Sequence, residues 1–532
     1  MRSSRSFALV ITLLAGACAP PEDGGPRDRG AALAHEEDFS IEVEGSVRVP
    51  LGGLVEFDVR SDLYNAPVKL DVASSTPGLV VVPGTIRRGY AVDAVRLGAQ
   101  APLVIGSTFT LRVVAQAGTS ERTADVNAIV VARAGALDPA FGDHGTAIAG
   151  GTKYSDDTLR QMLVLPDGSI VGVGSHYSLG GVFGRLVHRR ADGSPDRHWP
   201  SVLIGAHRNS IEPFAIRQQS TGRMVVAGTW RDKLALAAVG PDGELDPTFG
   251  DEGLEIVELP GDSGAFALRV APDDRLVIAG YHNRRALVAR FLPDGTPDYP
   301  SSQHIFPELE FHENIAAEAH DLALGREGVS LTVGEAGSRA FFVRVRPNAI
   351  GGLQSDEALL PVPDGVEAAA AQKIAIQPDG RILVAGSIRI CGVSGVAVWR
   401  LLPGEGLRHR LDPSFGARGV AVIPVPGSFR PLADIALQRD GRIVIAANAT
   451  MNMRPDDVEH EQARPLLVRL RADGTVDPGA GPAGIVPVGL GQGNVISSLA
   501  DAGSGELLLG FRWRQGAPKG GHFAGIARVW ER

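Results

Sequence analysis

The chain has 532 residues, of which 44% are hydrophobic, 67 are Gly and 36 are Pro, and its formal net charge is -9. This composition is typical of a globular chain with many turns and short strands, and it excludes an intrinsically disordered one. Basic residues are scattered among more numerous carboxylates, so the sequence lacks the basic surface that binds nucleic acid, and we expect no nucleic-acid partner.

Residues 1–17 have the features of a secretory signal peptide. Arg2 and Arg5 precede the apolar run Phe7–Leu14, and the small residues Ala15–Ala17 stand directly before Cys18. The apolar run is too short to cross the roughly 30 Å hydrocarbon layer of a bilayer as a mature helix. Because no second long apolar stretch follows, we expect no transmembrane helix in the mature chain.

The segment from Ala15 to Cys18 resembles the bacterial lipobox, with Ala15 where leucine is usual. The resemblance implies a lipoprotein in which Cys18 is lipidated, palmitate being one acyl group, after cleavage of the signal, and in which the chains anchor the protein to a membrane. Ala19, in place of Asp, implies an outer-membrane lipoprotein facing either the periplasm or the outside. The alternative is an ordinary signal peptide with a chance cysteine. Residues 18–37, rich in Pro, Gly and charge, predict a flexible tether.

Residues 38–134 alternate apolar and polar positions with a period of two, which predicts short strands with one dry face. Seven such runs are visible, and they begin at Phe39, Val55, Val68, Leu79, Ala91, Phe109 and Val126. About seven strands in about 100 residues predict an Ig-like β-sandwich. Such a domain serves most often as a spacer or an adhesive module.

From residue 136 to residue 532 the sequence repeats itself. The motif Leu-Asp-Pro-x-Phe-Gly begins at Leu137, Leu245 and Leu411, and these spacings fit a repeat of about 54 residues. A second motif, Pro-Asp-Gly between two apolar runs, contains Asp167 and Asp379. Because Asp-Gly between apolar runs is a strong hairpin signal, we expect a central hairpin with a type I′ turn in each repeat.

Each repeat is expected to contain four strands, with a leading strand such as Leu254–Leu259 before the hairpin. The third runs, such as Arg275–Gly280 and Arg381–Gly386, are apolar on both faces. A sheet is dry on both faces only when other layers cover both, which in an antiparallel repeat favours blades stacked around an axis. Third runs begin near residues 169, 223, 275, 329, 381, 442 and 506. We therefore predict an all-β chain that ends in a seven-bladed β-propeller, with six or eight blades as alternatives.

Together the two motifs resemble the delta-60 repeat, which occurs in arrays in myxobacterial and related envelope proteins. The resemblance covers roughly residues 137–532 and is strongest around Leu245 and Leu411. It implies a propeller-like array in the cell envelope and assigns no activity.

Few residues suggest a catalytic or metal-binding role. The repeated Asp138, Asp246 and Asp412 are interpreted as turn-capping residues rather than calcium ligands, and the following Phe is expected to pack between blades. Asp167 and its equivalents are likewise interpreted as turn formers. Cys391 is expected to be a buried small hydrophobic residue.

The histidines closest in sequence are His198, His304, His312 and His320, and they lack the spacing of a zinc site. His460, flanked by two glutamates, is expected in a solvated loop spanning Asn448 to Arg464. No nucleophile elbow, phosphate-binding glycine loop or metallohydrolase motif is present. The sequence therefore predicts no catalytic, cofactor or metal residue.

These patterns favour a non-catalytic binding or scaffold protein that presents loops around a central funnel to an envelope protein, a peptide or a glycan. The alternative is an envelope hydrolase or lyase whose polar residues converge in the funnel from different blades.

Overall fold

In the computed structural model, most of the described residues are in strands. They are 39–43, 46–50, 54–63, 66–73, 77–88, 92–100, 108–131, 134–151, 156–178, 181–196, 199, 202–204, 211–298, 308–309, 315–347, 353–404, 411–425, 428–429, 432–450, 463–490, 493–502, 506–514 and 522–530. Within these ranges no helix combines the length and apolar character needed to cross a membrane.

The first nine strands form two sheets that share one apolar core. They are β1 Ile41–Val43, β2 Ser46–Pro50, β3 Leu54–Ser61, β4 Val68–Ala73, β5 Leu79–Val82, β6 Gly84–Ile86, β7 Val92–Ala99, β8 Thr108–Ala117 and β9 Ser120–Val131. One sheet has the order β1-β3-β7-β5 and the other the order β2-β9-β8-β4-β6.

The period-two pattern explains how these sheets pack. Along β4, Val68, Leu70 and Val72 are buried, whereas Lys69 and Asp71 are exposed. Each of the seven predicted runs overlaps a strand, and β2 and β6 are two further strands that the sequence analysis did not predict.

The remaining described strands form seven four-stranded antiparallel units. Unit 1 contains β12 Gln161–Val164, β13 Ile170–Ser178, β14 Gly181–Arg189 and β15 Val202–Ile204; unit 2 contains β16 Glu212–Gln218, β17 Met224–Trp230, β18 Lys233–Val239 and β19 Leu254–Ile256; unit 3 contains β20 Ser263–Val270, β21 Leu276–His282, β22 Arg285–Phe291 and β23 Glu308–Leu309.

The other units follow the same order. Unit 4 contains β24 Ala317–Leu324, β25 Ser330–Ala336, β26 Arg339–Pro347 and β27 Leu353–Leu359. Unit 5 contains β28 Val366–Ile376, β29 Ile382–Ile390, β30 Val393–Leu401 and β31 Val420–Pro424.

Units 6 and 7 each have one irregularity. Unit 6 contains β33 Asp434–Leu437, β34 Ile443–Thr450, β35 Ala463–Leu470 and β36 Ile485–Pro487, and the short strand β32 Ser428–Phe429 also pairs with β34. Unit 7 contains β37 Val495–Asp501, β38 Glu506–Arg514, β39 His522–Trp530 and, from earlier in the chain, β10 Thr146–Gly150. The short strand β11 Asp156–Asp157 joins β13 to β39. Two 3-10 turns, Pro478–Ala480 and Pro482–Gly484, precede β36.

The seven units close into a ring. The first strand of each unit contacts the first strand of the next, and that of unit 7 contacts that of unit 1. Seven apolar cores each lie between two neighbouring units. The second strands are buried on both faces; for example, Met224 to Gly228 of β17 are all buried. This two-sided burial follows from stacking each sheet between two others.

The sequence repeat is offset from the structural unit. Leu254–Ile256, predicted as the leading strand of its repeat, is the fourth strand of the preceding sheet, where it pairs with β18. At the end of the ring the same offset makes β10 the fourth strand of unit 7 through its pairing with β39. The ring is therefore closed by hydrogen bonds between strands from the two ends of the repeat region.

The predicted hairpins are present, but the predicted type I′ turn at Asp-Gly is wrong. At Asp167 and Gly168 only the glycine has a positive φ, 81°. Gly168 N–H donates to Leu165 O, and Leu165 N–H donates to Ser169 O. This is a three-residue loop with glycine in the left-handed position, because a type I turn followed by a left-handed residue also matches the strand twist.

In units 2, 3 and 5, two-residue turns with two positive φ values join the second and third strands instead. One of them contains Cys391 (φ 49°) and Gly392 (φ 76°), between β29 and β30. Cys391 is exposed there, so the expectation of a buried cysteine is wrong. The residue occupies a hairpin tip, where its side chain cannot reach a core.

Candidate functional site

The first strands line the central channel of the ring, and a β-bulge shapes most of them. In units 2, 3, 4 and 5 the pairing with the second strand shifts register at Phe214, Phe266, His320 and Gln372. A bulge adds one residue to a strand and redirects its side chain. The bulges thus place these side chains at equivalent positions around one end of the channel.

A glycine opposite each bulge makes this geometry possible. A Cβ on Gly228, Gly280, Gly334 or Gly386 would stand about 2 Å from a carbonyl oxygen of the neighbouring first strand. Because no side chain fits in that space, the Gly that ends the third apolar run of the sequence repeat is required by packing.

The bulges bring aromatic rings from neighbouring units together. The ring centroids of Phe214 and Phe266 are 5.5 Å apart in an edge-to-face contact, and Phe266 lies 5.4 Å from Tyr281 and 6.2 Å from His320. All four side chains are half-buried. We refer to Phe214, Phe266, Tyr281 and His320 as the aromatic row.

Carboxylates surround the aromatic row. Glu212 accepts a 2.6 Å hydrogen bond from the Tyr177 hydroxyl, and Glu318 lies 3.7 Å from Nε2 of His320. Burial, and next the negative charges nearby, raise the pKa of Tyr281; these charges belong to Asp232, Glu318, Asp262 and Glu212. These carboxylates give the row a largely negative surrounding, although Arg160 stacks 5.0 Å above Phe214 at one edge.

The other half of the channel contains charged side chains of both signs. A cavity of about 290 Å³ is lined by residues of all seven first strands. Val164 and Asp501, the last residues of β12 and β37, are among them, so the cavity lies toward the Asp-Gly turns. We call its charged lining the channel charges; they are Arg217, Arg269, Asp321, Lys373, Asp434 and Asp501.

Two of the channel carboxylates link neighbouring units. Asp321 accepts hydrogen bonds from Arg269 at 2.8 Å and from the backbone N–H of Ile374 at 3.1 Å. Asp434 accepts from the N–H of Leu499 at 3.3 Å and lies 3.7 Å from Nζ of Lys373. Each carboxylate therefore ties its first strand to the next one.

The aspartates of the Leu-Asp-Pro motif are structural. Asp246 Oδ1 accepts from the N–H of Thr248, as predicted for a turn-capping residue, and Asp246 Oδ2 lies 2.6 Å from Nε of Arg223. Asp138 and Asp412 make the corresponding contacts. The sequence analysis predicted the turn contact and missed the arginine.

The phenylalanine of the same motif packs between units, as predicted. Phe141, Phe249 and Phe415 are fully buried in three of the cores between neighbouring units. In each case an arginine of the Asp-Arg pair stacks over the ring; the distance is 4.6 Å for Arg400 over Phe415.

Three segments match the family model described as "Domain of unknown function (DUF5122) beta-propeller", and they span residues 271–299, 377–406 and 438–479. They fall in units 3, 5 and 6 and include the turn between the first and second strands together with the second and third strands. The repeat region is a β-propeller.

Solved structures similar to this propeller chain have low identity to it. One is a protein from Lactobacillus plantarum, with 12% identity, coverage of 68% of this chain and 97% of that chain, and a TM-score of 0.41. A second is Sqt1 from Chaetomium thermophilum, with 12% identity, coverage of 72% of this chain and 100% of that chain, and a TM-score of 0.37. A third is a quinonprotein alcohol dehydrogenase-like protein from Bacteroides thetaiotaomicron, with 10% identity, coverage of 83% of this chain and 93% of that chain, and a TM-score of 0.35. No curated protein matches the chain.

The propeller brings together few of the residues that the sequence analysis considered. His320 belongs to the aromatic row, and Asp167 Oδ1 accepts from the N–H and hydroxyl of Ser169 as a turn former does. Cys18, His198, His304, His312 and His460 lie outside the described residues. Within the described ranges, no three His, Cys, Asp or Glu side chains are grouped so as to hold a metal ion.

Sequence reasoning missed both halves of the channel, because neither corresponds to a linear motif. The bulge residue differs between blades, being Phe in two, His in one, Gln in one and Ser497 in blade 7. The one available signal was the position itself, four residues before the end of each first strand.

Proposed function

We propose that the protein is a cell-envelope lipoprotein whose β-propeller is a non-catalytic binding module, and that the aromatic row is its binding surface. The observation that carries this proposal is the row itself: three aromatic side chains and a histidine from adjacent blades, with Phe266 in contact with the other three and all four half-buried at one end of the channel.

Aromatic rings in such a position are typical of binding surfaces. They offer a large apolar area, lose few rotamers when a ligand binds, and carry much of the binding energy in known interfaces. A purely structural role would favour full burial, whereas these rings keep part of their surface in contact with solvent. The bulges and their facing glycines hold Phe214 and Phe266 in fixed positions, so little ordering is required on binding.

The charges around the row favour a basic peptide segment as the ligand. Asp232 and Asp262 are exposed beside Tyr281, and Glu318 is about half-exposed. Cationic side chains are attracted both to carboxylates and to the faces of aromatic rings. An extended segment with Arg or Lys would satisfy both at once.

The arrangement of the channel carboxylates supports binding over the hydrolase or lyase alternative. A catalytic carboxylate needs an oxygen directed at a substrate. Asp321 and Asp434 instead accept backbone N–H bonds from the next blade. Their geometry is that of inter-blade ties.

A direct binding measurement tests this function. The probes are two fluorescently labelled peptides, one alternating Ala and Arg and the other alternating Ala and Glu, followed by anisotropy with the full chain. We expect the arginine peptide to bind, the glutamate peptide not to bind, and Phe266→Ala to weaken binding at least fivefold.

Phe523→Ala is the matched control, since Phe523 is also a half-buried aromatic residue but stacks on Trp513 in blade 7. It should bind the arginine peptide like the unaltered chain. Equal affinity of Phe266→Ala and the unaltered chain for the arginine peptide would exclude the row as the binding surface.

We also propose that Cys18 is the lipidated residue, that the anchor is in the outer membrane, and that the N-terminal sandwich is an Ig-like spacer between the tether and a propeller of delta-60 type. The support is the lipobox-like segment before Cys18 and the two-sheet arrangement of β1–β9. Labelling of cells with radioactive palmitate provides the test. Label should enter the unaltered chain and Cys391→Ser, the control at the other cysteine, and should be absent from Cys18→Ser.

A further inference from the structure

The channel cavity contains two arginines on adjacent first strands with unequal environments. Arg217 on β16 lies opposite Val225, and Arg269 on β20 lies at the same register opposite Val277. The two strands are neighbours in the ring. Both side chains line the cavity, so two positive charges face one space.

Only one of the two has a carboxylate partner. Arg269 Nη2 donates to Asp321 Oδ1 at 2.8 Å. Arg217 Nη1 donates to the Gln161 amide oxygen at 2.7 Å and to the Ile216 carbonyl at 2.6 Å. Among the described residues, no carboxylate comes within ion-pair distance of Arg217.

This arrangement is costly for the unliganded protein. Burial, and next the positive charge of Arg269, lower the pKa of Arg217 to about 9, while Asp321 and Asp434 oppose the shift. Arg217 is half-buried, and a charged group that is partly removed from water without an ionic partner destabilises the fold. The guanidinium has five N–H donors, and its planar geometry matches two oxygens of a carboxylate or phosphate.

We propose that the cavity is a binding site for a small oxyanion, a phosphate or a carboxylate, held between Arg217 and Arg269. Its donors are the N–H groups on Nε and Nη2 of Arg217, and the N–H groups of Arg269 that donate neither to Asp321 nor to the Leu268 carbonyl. Gln161 fixes the orientation of Arg217, since its amide oxygen also accepts the N–H of Ile216 at 2.8 Å.

The charge distribution around the ring favours an anion beside the first strands of blades 2 and 3. Blades 2 and 3 contribute only the two arginines, whereas the carboxylates come from blades 4, 6 and 7. Lys373, from blade 5, lies 3.7 Å from Asp434. A volume of about 290 Å³ suits an inorganic anion or a small organic acid and is at the lower end of the range for ligand pockets.

Equilibrium dialysis of the full chain tests the proposal at constant ionic strength, with radiolabelled inorganic phosphate in one arm and radiolabelled succinate in the other. We expect one equivalent of at least one probe to bind, and the arm that binds tells phosphate from carboxylate. Arg217→Gln should weaken that binding at least tenfold. Arg87→Gln, at an exposed position of the sandwich, should leave it unchanged.

Arg217→Lys is a second variant that tests the site even if Arg217→Gln does not fold. Lysine retains the positive charge but lacks the planar pair of N–H donors. This variant should bind the anion several-fold more weakly than the unaltered chain and show the same circular dichroism. The proposal is overturned if the unaltered chain binds neither probe, or if Arg217→Gln and Arg217→Lys both retain its affinity.

Discussion

The carbonyl oxygen of Gly264 lies 1.9 Å from the point where a Cβ on Gly280 would stand. This contact brings the bulged first strand of blade 3 against its second strand, and the bulge places Phe266 in the aromatic row. The same close approach recurs at Gly228 and Gly334. One repeated glycine thus links the sequence motif to the shape of the binding surface.

Gly280→Ala should destabilise the protein by about 3 kcal/mol, because the added methyl group meets backbone atoms that cannot move independently. Chemical denaturation gives the difference in unfolding free energy. Gly404→Ala, where no atom lies within 4 Å of the added Cβ, should change stability by less than about 0.5 kcal/mol. Equal effects of the two substitutions would show that the close approach is not the cause.

Asp412→Ala should be the most damaging change at a Leu-Asp-Pro motif. The side chains of Asp412 and Arg400 are 4% and 7% exposed, and Arg381 also pairs with Asp412. Removal of the carboxylate leaves buried positive charge without a partner, which costs about 3–5 kcal/mol. At Asp246, where side-chain exposure is 21%, the same change should cost clearly less by denaturation.

Much of the architecture could be predicted from the sequence because period-two patterns and turn motifs are local. The two-sided apolar runs correctly indicated stacked sheets. The prediction that Leu254–Ile256 is the leading strand of its own repeat failed because strand pairing is not local. This strand hydrogen-bonds to the blade before it. The Asp-Gly turn type failed because Asp-Gly fits both a type I′ turn and a type I turn followed by a left-handed glycine.

The candidate sites could not be predicted for a different physical reason. Arg217 and Arg269 are 52 positions apart in sequence and stand at equivalent places in two blades, yet the equivalent residues of the next blades are Ala323 and Ala375. A linear motif identifies the residues that are the same in every repeat. A site at the ring axis depends on the residues that differ between repeats.

Ring closure makes a prediction about β10. Ala147 is 6% exposed in the core between blades 7 and 1, whereas the next residue, Ile148, is 58% exposed. Ala147→Asp should lower the unfolding free energy by at least about 2 kcal/mol, because it buries a charge. Ile148→Asp should have little effect. Thermal unfolding compares them, and amide hydrogen exchange in β39 should accelerate only in Ala147→Asp.

Cys391 should be reactive in the folded protein, because it is exposed at the tip of the β29–β30 hairpin. A thiol reagent added without denaturant should modify it at the rate of an accessible cysteine, and denaturant should not increase the yield. Cys391→Ser supplies the background. If the thiol of Cys391 reacted only after unfolding, the side chain would be buried, as expected from the sequence.

Thr248 should contribute stability that depends on pH. Its hydroxyl donates a 2.6 Å hydrogen bond to Asp246, and this bond is the main reason that the pKa of Asp246 lies below the ordinary value of 3.8. A carboxyl whose pKa is lower in the folded state stabilises the fold above the unfolded-state pKa, and this contribution is lost as pH falls through the folded-state pKa. Thr248→Val should therefore cost about 1 kcal/mol at pH 7 and clearly less at pH 3. Urea denaturation at the two pH values measures the difference, and a cost that is equal at both would contradict the assignment to the ionised carboxylate.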